Sequence, residues 1–260
     1  LEIRKDYHPN GQVKVVASYK DGVPEGIRRE YSPDGKIEKS YIFKDGIITG
    51  KGIVTEKGVK DGDWKEYYDD GELRAEGKYD NGKKVGGWKY YYNNGKLEQK
   101  GNYNKLGNID GNWKWYYQSG NLQREENYLN GLEDGLMTEY DESGNIIIQG
   151  EYIEGLEEGR WIFELNDSRE EGNFIAGLRD GNWKSYYEDG TLKFQGKYIE
   201  DNPNGKHTYY WDNGKKKDEG FYVMGKREGN WVKYQYDGTP FLVITYKNGI
   251  EKKYDGIKIK

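Results

Sequence analysis

Cysteine is absent from the 260 residues, which excludes disulfides, thiolate metal sites and thiol nucleophiles and leaves the redox compartment open. Histidine is nearly absent too: His8 and His207 are the whole supply of imidazole. Aliphatic residues are thin. Leu, Ile, Val and Phe together make up less than a fifth of the chain, and the mean hydropathy is -1.15. No apolar run approaches the ~20 residues that a membrane-spanning helix needs. Charge of one sign is also lacking. Lys+Arg 41 against Asp+Glu 46 gives a net charge of -5, without the basic excess of a nucleic-acid surface. Aliphatic poverty alone would point to disorder. The low net charge and 15% aromatics, with 26 Tyr and 8 Trp, argue against it. Rings supply the apolar area here, which suits a thin sheet better than a thick core.

Those rings recur with a period. The clearest unit is Asp61 to Gly86, DGDWKEYYDDGELRAEGKYDNGKKVG. Starting glycines fall at Gly62, Gly86, Gly111, Gly135, Gly159, Gly181, Gly205 and Gly229, separated by 24, 25, 24, 24, 22, 24 and 24 residues. Repetition this regular predicts a stacked array in which each unit buries its face on its neighbours. Trp64, Trp88, Trp113, Trp161, Trp183 and Trp231 share one repeat position, where Met137 and His207 stand as replacements. Asp70-Gly71 lies between two β-prone runs, as do Asn94-Gly95, Ser119-Gly120, Ser143-Gly144, Asp189-Gly190, Asn213-Gly214 and Asp237-Gly238. Such dipeptides predict two-residue type I′ hairpin turns. That register sets Tyr68 opposite Leu73, Glu66 opposite Ala75, Trp64 opposite Gly77 and Gly62 opposite Tyr79, all on one face. The indole would then cover bare glycine backbone. Lys65, Tyr67, Arg74, Glu76 and Lys78 fall on the other face. Two copies break the rhythm: a half-copy at Lys51–Asp61, and the copy at Gly159, where Asn166-Asp167-Ser168 replaces the turn.

Gly-x-Trp-x-x-Tyr-Tyr-x-x-Gly-x-Leu-x-x-x-Gly-x-Tyr resembles the bacterial variant of the MORN repeat, as seen in YwqK-family antitoxin components. The resemblance spans nearly the whole chain in roughly ten copies. It implies an all-β fold: an elongated, single-layer antiparallel sheet of tandem β-hairpin repeats. It also implies a non-enzymatic binding or scaffold role, with no catalytic residues to carry over. Roughly twenty strands at ~4.8 Å spacing predict a twisted rod of about 100 Å. The whole of 1–260 reads as one array. Residues 1–61 are irregular N-terminal copies, 62–245 regular copies, and 246–260 a C-terminal cap.

Chemistry has little to work with. His207 occupies a tryptophan position and reads as a filler. No serine sits in a G-x-S-x-G elbow, and the carboxylates recur with the repeat as turn and surface residues. Asp61-Gly62-Asp63 and Asp110-Gly111-Asn112 do not match an EF-hand loop and are explained by turn chemistry. No enzyme activity, metal or cofactor is expected. The candidate partner-binding residues are Tyr67, Tyr91, Tyr116, Tyr140, Tyr186, Tyr210 and Tyr234, with Tyr31 at the same position, five after each starting glycine. They should form a ladder on the charged face, flanked by Lys65, Lys89, Lys114, Lys184 and Lys233. The bland reading is that they merely close that face. The functional one is an aromatic and charged stripe for an extended protein or peptide partner. Alternatives are a cell-wall or glycan-binding repeat and an antitoxin-like neutralising partner. The acidic balance makes anionic membranes poor partners. The strand Gln12–Tyr19 is the expected seat of edge-to-edge self-association. Composition leans towards an exported or cell-surface protein.

Overall fold

The computed structural model describes residues 1–165, 168–255 and 257–258. Strands are the only regular elements among them. The chain divides into two compact units. The first, Leu1–Leu132 with Glu142–Gly144, holds β1 (Glu2–Tyr7), β2 (Val13–Lys20), β3 (Val23–Tyr31), β4 (Ile37–Lys44), β5 (Ile47–Val54), β6 (Lys60–Tyr67), β7 (Leu73–Asp80), β8 (Lys83–Tyr91), β9 (Leu97–Tyr103), β10 (Ile109–Tyr116) and β11 (Leu122–Leu129). The second, Glu133–Asp141 and the residues from Asn145 onwards, holds β12 (Leu132–Tyr140), β13 (Ile146–Ile153), β14 (Leu156–Leu165), β15 (Ser168–Ile175), β16 (Leu178–Tyr187), β17 (Leu192–Ile199), β18 (Asn202–Tyr210), β19 (Lys216–Val223), β20 (Lys226–Tyr234), β21 (Pro240–Lys247), β22 (Ile250–Tyr254) and β23 (Ile257–Lys258). Within each unit every strand pairs antiparallel with the next in sequence, so each is a single-layer meander. β2 is paired on both sides, by β1 and β3. The expected sticky edge at Gln12–Tyr19 is therefore an interior strand, because Glu2–Tyr7 supplies the first strand of that copy.

The backbone register is as the repeat predicts near Gly62. Gly62 lies opposite Tyr79, Trp64 opposite Gly77, and Glu66 opposite Ala75. The turn is different. Asp70 keeps negative φ and only Gly71 is left-handed, at φ 90°. The Tyr68 N–H donates to Glu72 O, and the Gly71 N–H donates back to Tyr68 O. This is a three-residue loop, a type I turn closed by a glycine bulge. A second bulge follows, so Tyr67 rather than Tyr68 faces Leu73. That extra residue turns Arg74 onto the tryptophan face, where it meets the Glu66 carboxylate at 2.9 Å. Two-residue type I′ turns occur instead at the return connections. Asn81-Gly82, for example, has φ 48° and 82°.

The period follows from turn size. The Asn104–Asn108 return is a three-residue loop, closed by a hydrogen bond from the Gly107 N–H to Asn104 O. It adds the residue that makes one spacing 25. The Gly159 copy pairs Trp161 with Gly172 and Leu165 with Ser168 without any bulge, and so loses two residues. Asn166 and Asp167 lie outside the described residues.

The half-copy has the largest consequence. It contributes one strand, β5, joined to β6 by another glycine-bulge loop around Gly58. One strand is half a repeat, so the copies before it are turned over. Ile27 and Ile42 pack with Val54, Trp64 and Trp88, which puts Arg28, at the tryptophan position of its copy, on the opposite, charged face. Tyr31, three residues further along the same strand, accordingly leaves the predicted ladder.

Candidate binding faces

One face of each sheet is a closed aromatic core. Trp64, Trp88, Trp161 and Trp231 are about as buried as side chains can be, at 1% exposure each. Their indoles alternate edge to face with the ring near the end of each return strand. Trp64–Tyr79 and Tyr79–Trp88 centroids are 6.0 and 5.1 Å apart in the first unit. Phe174–Trp183 and Tyr222–Trp231 are 5.1 and 5.0 Å apart in the second. This geometry suits the ring quadrupoles, and each such pair contributes about 0.5–1.5 kcal/mol beyond burial. Cations close the outside, with Lys84 over Trp88 at 4.2 Å and Arg227 over Trp231 at 4.4 Å.

The indoles also lock one repeat to the next. Trp64 and Gly77 are backbone partners, yet the Trp64 ring covers Gly52, and Gly77 is covered by Trp88. A β-carbon at Gly77, Gly101, Gly172 or Gly220 would stand inside the ring of the following repeat. The Trp88 N–H donates to Lys78 O at 3.1 Å, and the Trp231 N–H to Phe221 O at 3.1 Å. His207 takes the same seat over Gly196, with Nε2 2.8 Å from Lys197 O. Burial pushes its pKa down, against the opposing effect of that backbone contact. It is a filler, as its repeat position implies. The sequence follows the same rule throughout: glycine precedes each ring, whereas Glu126 stands before Met137 and Tyr41 before Gly52.

The other face carries the ladder. Tyr67, Tyr91, Tyr116, Tyr140, Tyr186, Tyr210 and Tyr234 are all half-buried. Several phenols are already engaged. Tyr91 donates to Glu76 at 2.7 Å, Tyr186 to Glu171 at 2.9 Å and Tyr234 to Glu219 at 2.7 Å. Gln195 donates to Tyr210 at 2.8 Å. Burial first, then the neighbouring carboxylate, pushes Tyr91 and Tyr234 up to about 12. Burial alone would raise Glu219, but hydrogen bonds from Tyr234, Lys206 and Lys216 outweigh it and hold the group at about 2. The ladder is thus a set of posts that position carboxylates. The adjacent tyrosines stitch the loops: Tyr68 donates to Tyr91 O and Tyr92 to Tyr116 O, both at 2.6 Å.

Between the posts lie grooves. In the first unit a groove of about 800 Å³ includes Tyr67 and the lysines Lys51, Lys65, Lys78, Lys89, Lys100 and Lys114. Asp63 and Glu76 are the acidic side chains that line it. In the second unit a groove of about 620 Å³ includes Lys184, Gln195, Lys206, Thr208, Tyr210 and Glu219. Lys65, Lys89 and Lys114 are visible from the repeat. Lys78 is too, since the hairpin register sets it on the charged face, but Lys51 and Lys100 are not, because they sit on neighbouring strands and join the groove only through cross-strand register. Pairing Lys89 with Lys100 by counting from the turn was the available signal. Among the described residues there is no cluster of three or more His, Asp or Glu that could hold a metal. Nor, among the described residues, is any helix long and apolar enough to cross a membrane.

Comparison with known proteins agrees with this architecture. The MORN repeat variant profile matches residues 3–21, 24–45, 60–81, 84–105, 109–130, 133–154, 179–200 and 203–224, more than half of the chain. No curated protein matches. Among solved structures, a chain titled "Crystal Structure of TcdB2-TccC3" aligns over 94% of this chain at 11% identity and a TM-score of 0.19. This chain spans 17% of that chain's length, and the likeness carries no argument about fold or function.

Proposed function

Because the chain belongs to the MORN repeat variant family, a family of repeat-based binding and scaffold proteins, we propose that it is a non-enzymatic scaffold whose charged, tyrosine-bearing face holds an extended protein or peptide partner. One observation carries this reading. The indole face is spent on the core, with rings buried to 1% exposure and only grooves of about 220 Å³ beside Trp183, whereas the opposite face keeps open grooves of about 800 and 620 Å³ between half-buried tyrosines. Side chains that recur at fixed spacing across a rigid sheet can take a partner that is itself extended. Tyrosine offers contact area with little rotamer freedom to lose. The ladder tyrosines contribute through their ring edges and the carboxylates they fix, since several of their hydroxyls are already engaged.

A displayed library of random peptides, selected on the full chain, tests the reading. Enriched peptides should lose binding when Lys65 and Lys184 are both replaced by glutamate and keep it when Leu106, exposed in a return loop, is replaced by serine. A selection without enrichment, or one indifferent to Lys65→Glu and Lys184→Glu, contradicts the proposal. Enrichment only on immobilised oligosaccharides would favour the glycan-binding alternative. A single folded protein partner would favour the antitoxin-like one.

A further inference from the structure

The charged face of the first unit holds an arrangement that repeat chemistry alone does not require. Followed across the strands, one row of side chains reads Lys51, Lys65, Glu76, Lys89, Lys100, Lys114. Each faces the next in register. Three of these cross-strand pairs are lysine against lysine: Lys51–Lys65, Lys89–Lys100 and Lys100–Lys114. Like charges directly opposite on one sheet face oppose folding. Lys51 and Lys100 lie at the outer range of the Tyr41 and Tyr116 rings, 5.9 and 6.0 Å from their centroids, and carboxylates relieve only the ends of the row. Glu76 reaches Lys65 at 3.6 Å, and Glu125 reaches Lys114 at 3.1 Å. Among the described residues Lys51, Lys78, Lys89 and Lys100 make no ion pair. All this sits in a chain whose net charge is -5.

We infer that the groove of the first unit binds an acidic, extended polypeptide segment, one rich in Asp and Glu. The inference rests on the proposed function above and names the chemistry of the partner. Lysines one strand apart stand ~4.8 Å from each other, while same-face side chains of an extended peptide repeat at about 6.6–6.8 Å. Flexible ammonium stems can take up that mismatch, and each carboxylate that enters neutralises a repulsion the fold already contains. Asn102 and Asn112 at the groove wall can hydrogen-bond a peptide backbone. Other polyanions fit less well. Single-stranded nucleic acid is held by bases stacked on exposed rings, but Tyr67, the tyrosine of this groove, is half-buried. A bilayer is flat, and this row lies in a concavity.

The test measures fluorescence polarisation of a labelled peptide of alternating Glu and Ser, added to the full chain. The control peptide alternates Gln and Ser. Single-stranded oligothymidine, a heparin fragment and phosphatidylserine vesicles compete in separate titrations. The Glu peptide should bind, weaken with added salt as screened charges do, and outcompete every other probe. Lys100→Glu should lower its affinity by about tenfold or more and at the same time raise the melting temperature, since it converts two repulsive pairs into attractive ones. Lys252→Glu, at an exposed lysine of the second unit outside both grooves, should leave the affinity unchanged. Lys89→Gln gives a second, charge-removing variant should Lys100→Glu fail to fold. The inference is overturned if the Gln peptide binds equally, if Lys100→Glu and Lys89→Gln bind normally, or if another polyanion binds as tightly. Neutral peptides enriched in the display selection would then leave the broader scaffold reading standing. A selection with no face-dependent peptide removes that reading independently.

Discussion

The two units share a backbone plan and differ in one row of side chains. In the first, the row across β5 to β10 is dominated by lysine and contains three like-charge pairs. In the second, the same row passes through Glu171, Lys184, Gln195, Thr208, Glu219 and Val232, with no lysine facing lysine. Of the cations on that face, Lys206 and Lys216 are matched, each lying 3.0 Å from Glu219, whereas Lys233 pairs with Asp218 on the indole face and does not flank the ladder. The buried face is the same in both, with glycine under indole and ring against ring. The core chemistry is therefore set by stacking repeats, and the charged row varies more freely, tied only where a ladder tyrosine holds Glu76, Glu171, Gln195 or Glu219. What varies there reports on partners, and what recurs on the other face reports on stability.

The comparison can be broken first at the shared core. Trp88→Ala and Trp183→Ala should each cost about 3–5 kcal/mol, as truncation of a buried aromatic does. Thermal melts should fall by similar amounts for the two. Next come the glycines beneath the rings. Gly77→Ala and Gly172→Ala should each cost about 1–3 kcal/mol by overpacking, or more where backbone must shift, because the new β-carbon meets Trp88 or Trp183. Alanine in place of Gly77 should lose most of that cost once Trp88 is also replaced by alanine. Independent effects in that double-mutant cycle would dissolve the claim that the ring of one repeat seats on the glycine of the last.

Acid should separate the units. His207, in the second, has its pKa lowered by burial from an ordinary 6.5, so its neutral form belongs to the fold. The stability this gives is full above that value and is lost as pH falls below it. The matching seats in the first unit carry Trp64, Trp88 and Trp113. Hydrogen exchange compared at neutral and mildly acidic pH should show protection falling around β17 to β19 sooner than around β7 to β10, and His207→Trp should abolish the difference. At lower pH, Glu219, held at about 2 against an ordinary 4.5, gives a contribution that persists above 4.5 and disappears as pH falls towards 2. A smaller effect is expected from Lys100→Glu, which should stabilise the first unit by about 0.2–1 kcal/mol for each repulsive pair it removes. Tyr234→Phe should cost about 0.5–1.5 kcal/mol through loss of its hydrogen bond to Glu219.

Much of this was legible in the sequence because period and alternation are strict. Gly62, Trp64, Glu66 and Tyr79 are placed by counting alone. The turn type was not, since Asp-Gly serves both the two-residue loop and the glycine-bulge loop. The two differ only in the φ of Asp70, which no neighbouring residue announces. The error is local but turns Arg74 over. The reversal of the first copies by β5 was legible in principle: one unpaired strand inserted into a two-strand repeat must exchange the faces of everything before it. The lysine row required register between strands of different hairpins, which depends on bulges such as the one between Glu76 and Lys78. The division into two units within a uniform repeat has no marker in the residues beyond Glu126 and Met137, where the glycine and indole positions are both replaced.

Lysine footprinting bears most directly on the account. The full chain is acetylated with and without the alternating Glu–Ser peptide, and each lysine is read by mass spectrometry. Protection of Lys89 and Lys100, with Lys184, Lys197 and Lys206 labelled as before, is the predicted result. Equal protection in both units, or none at Lys89 and Lys100 while the peptide is bound, would contradict it.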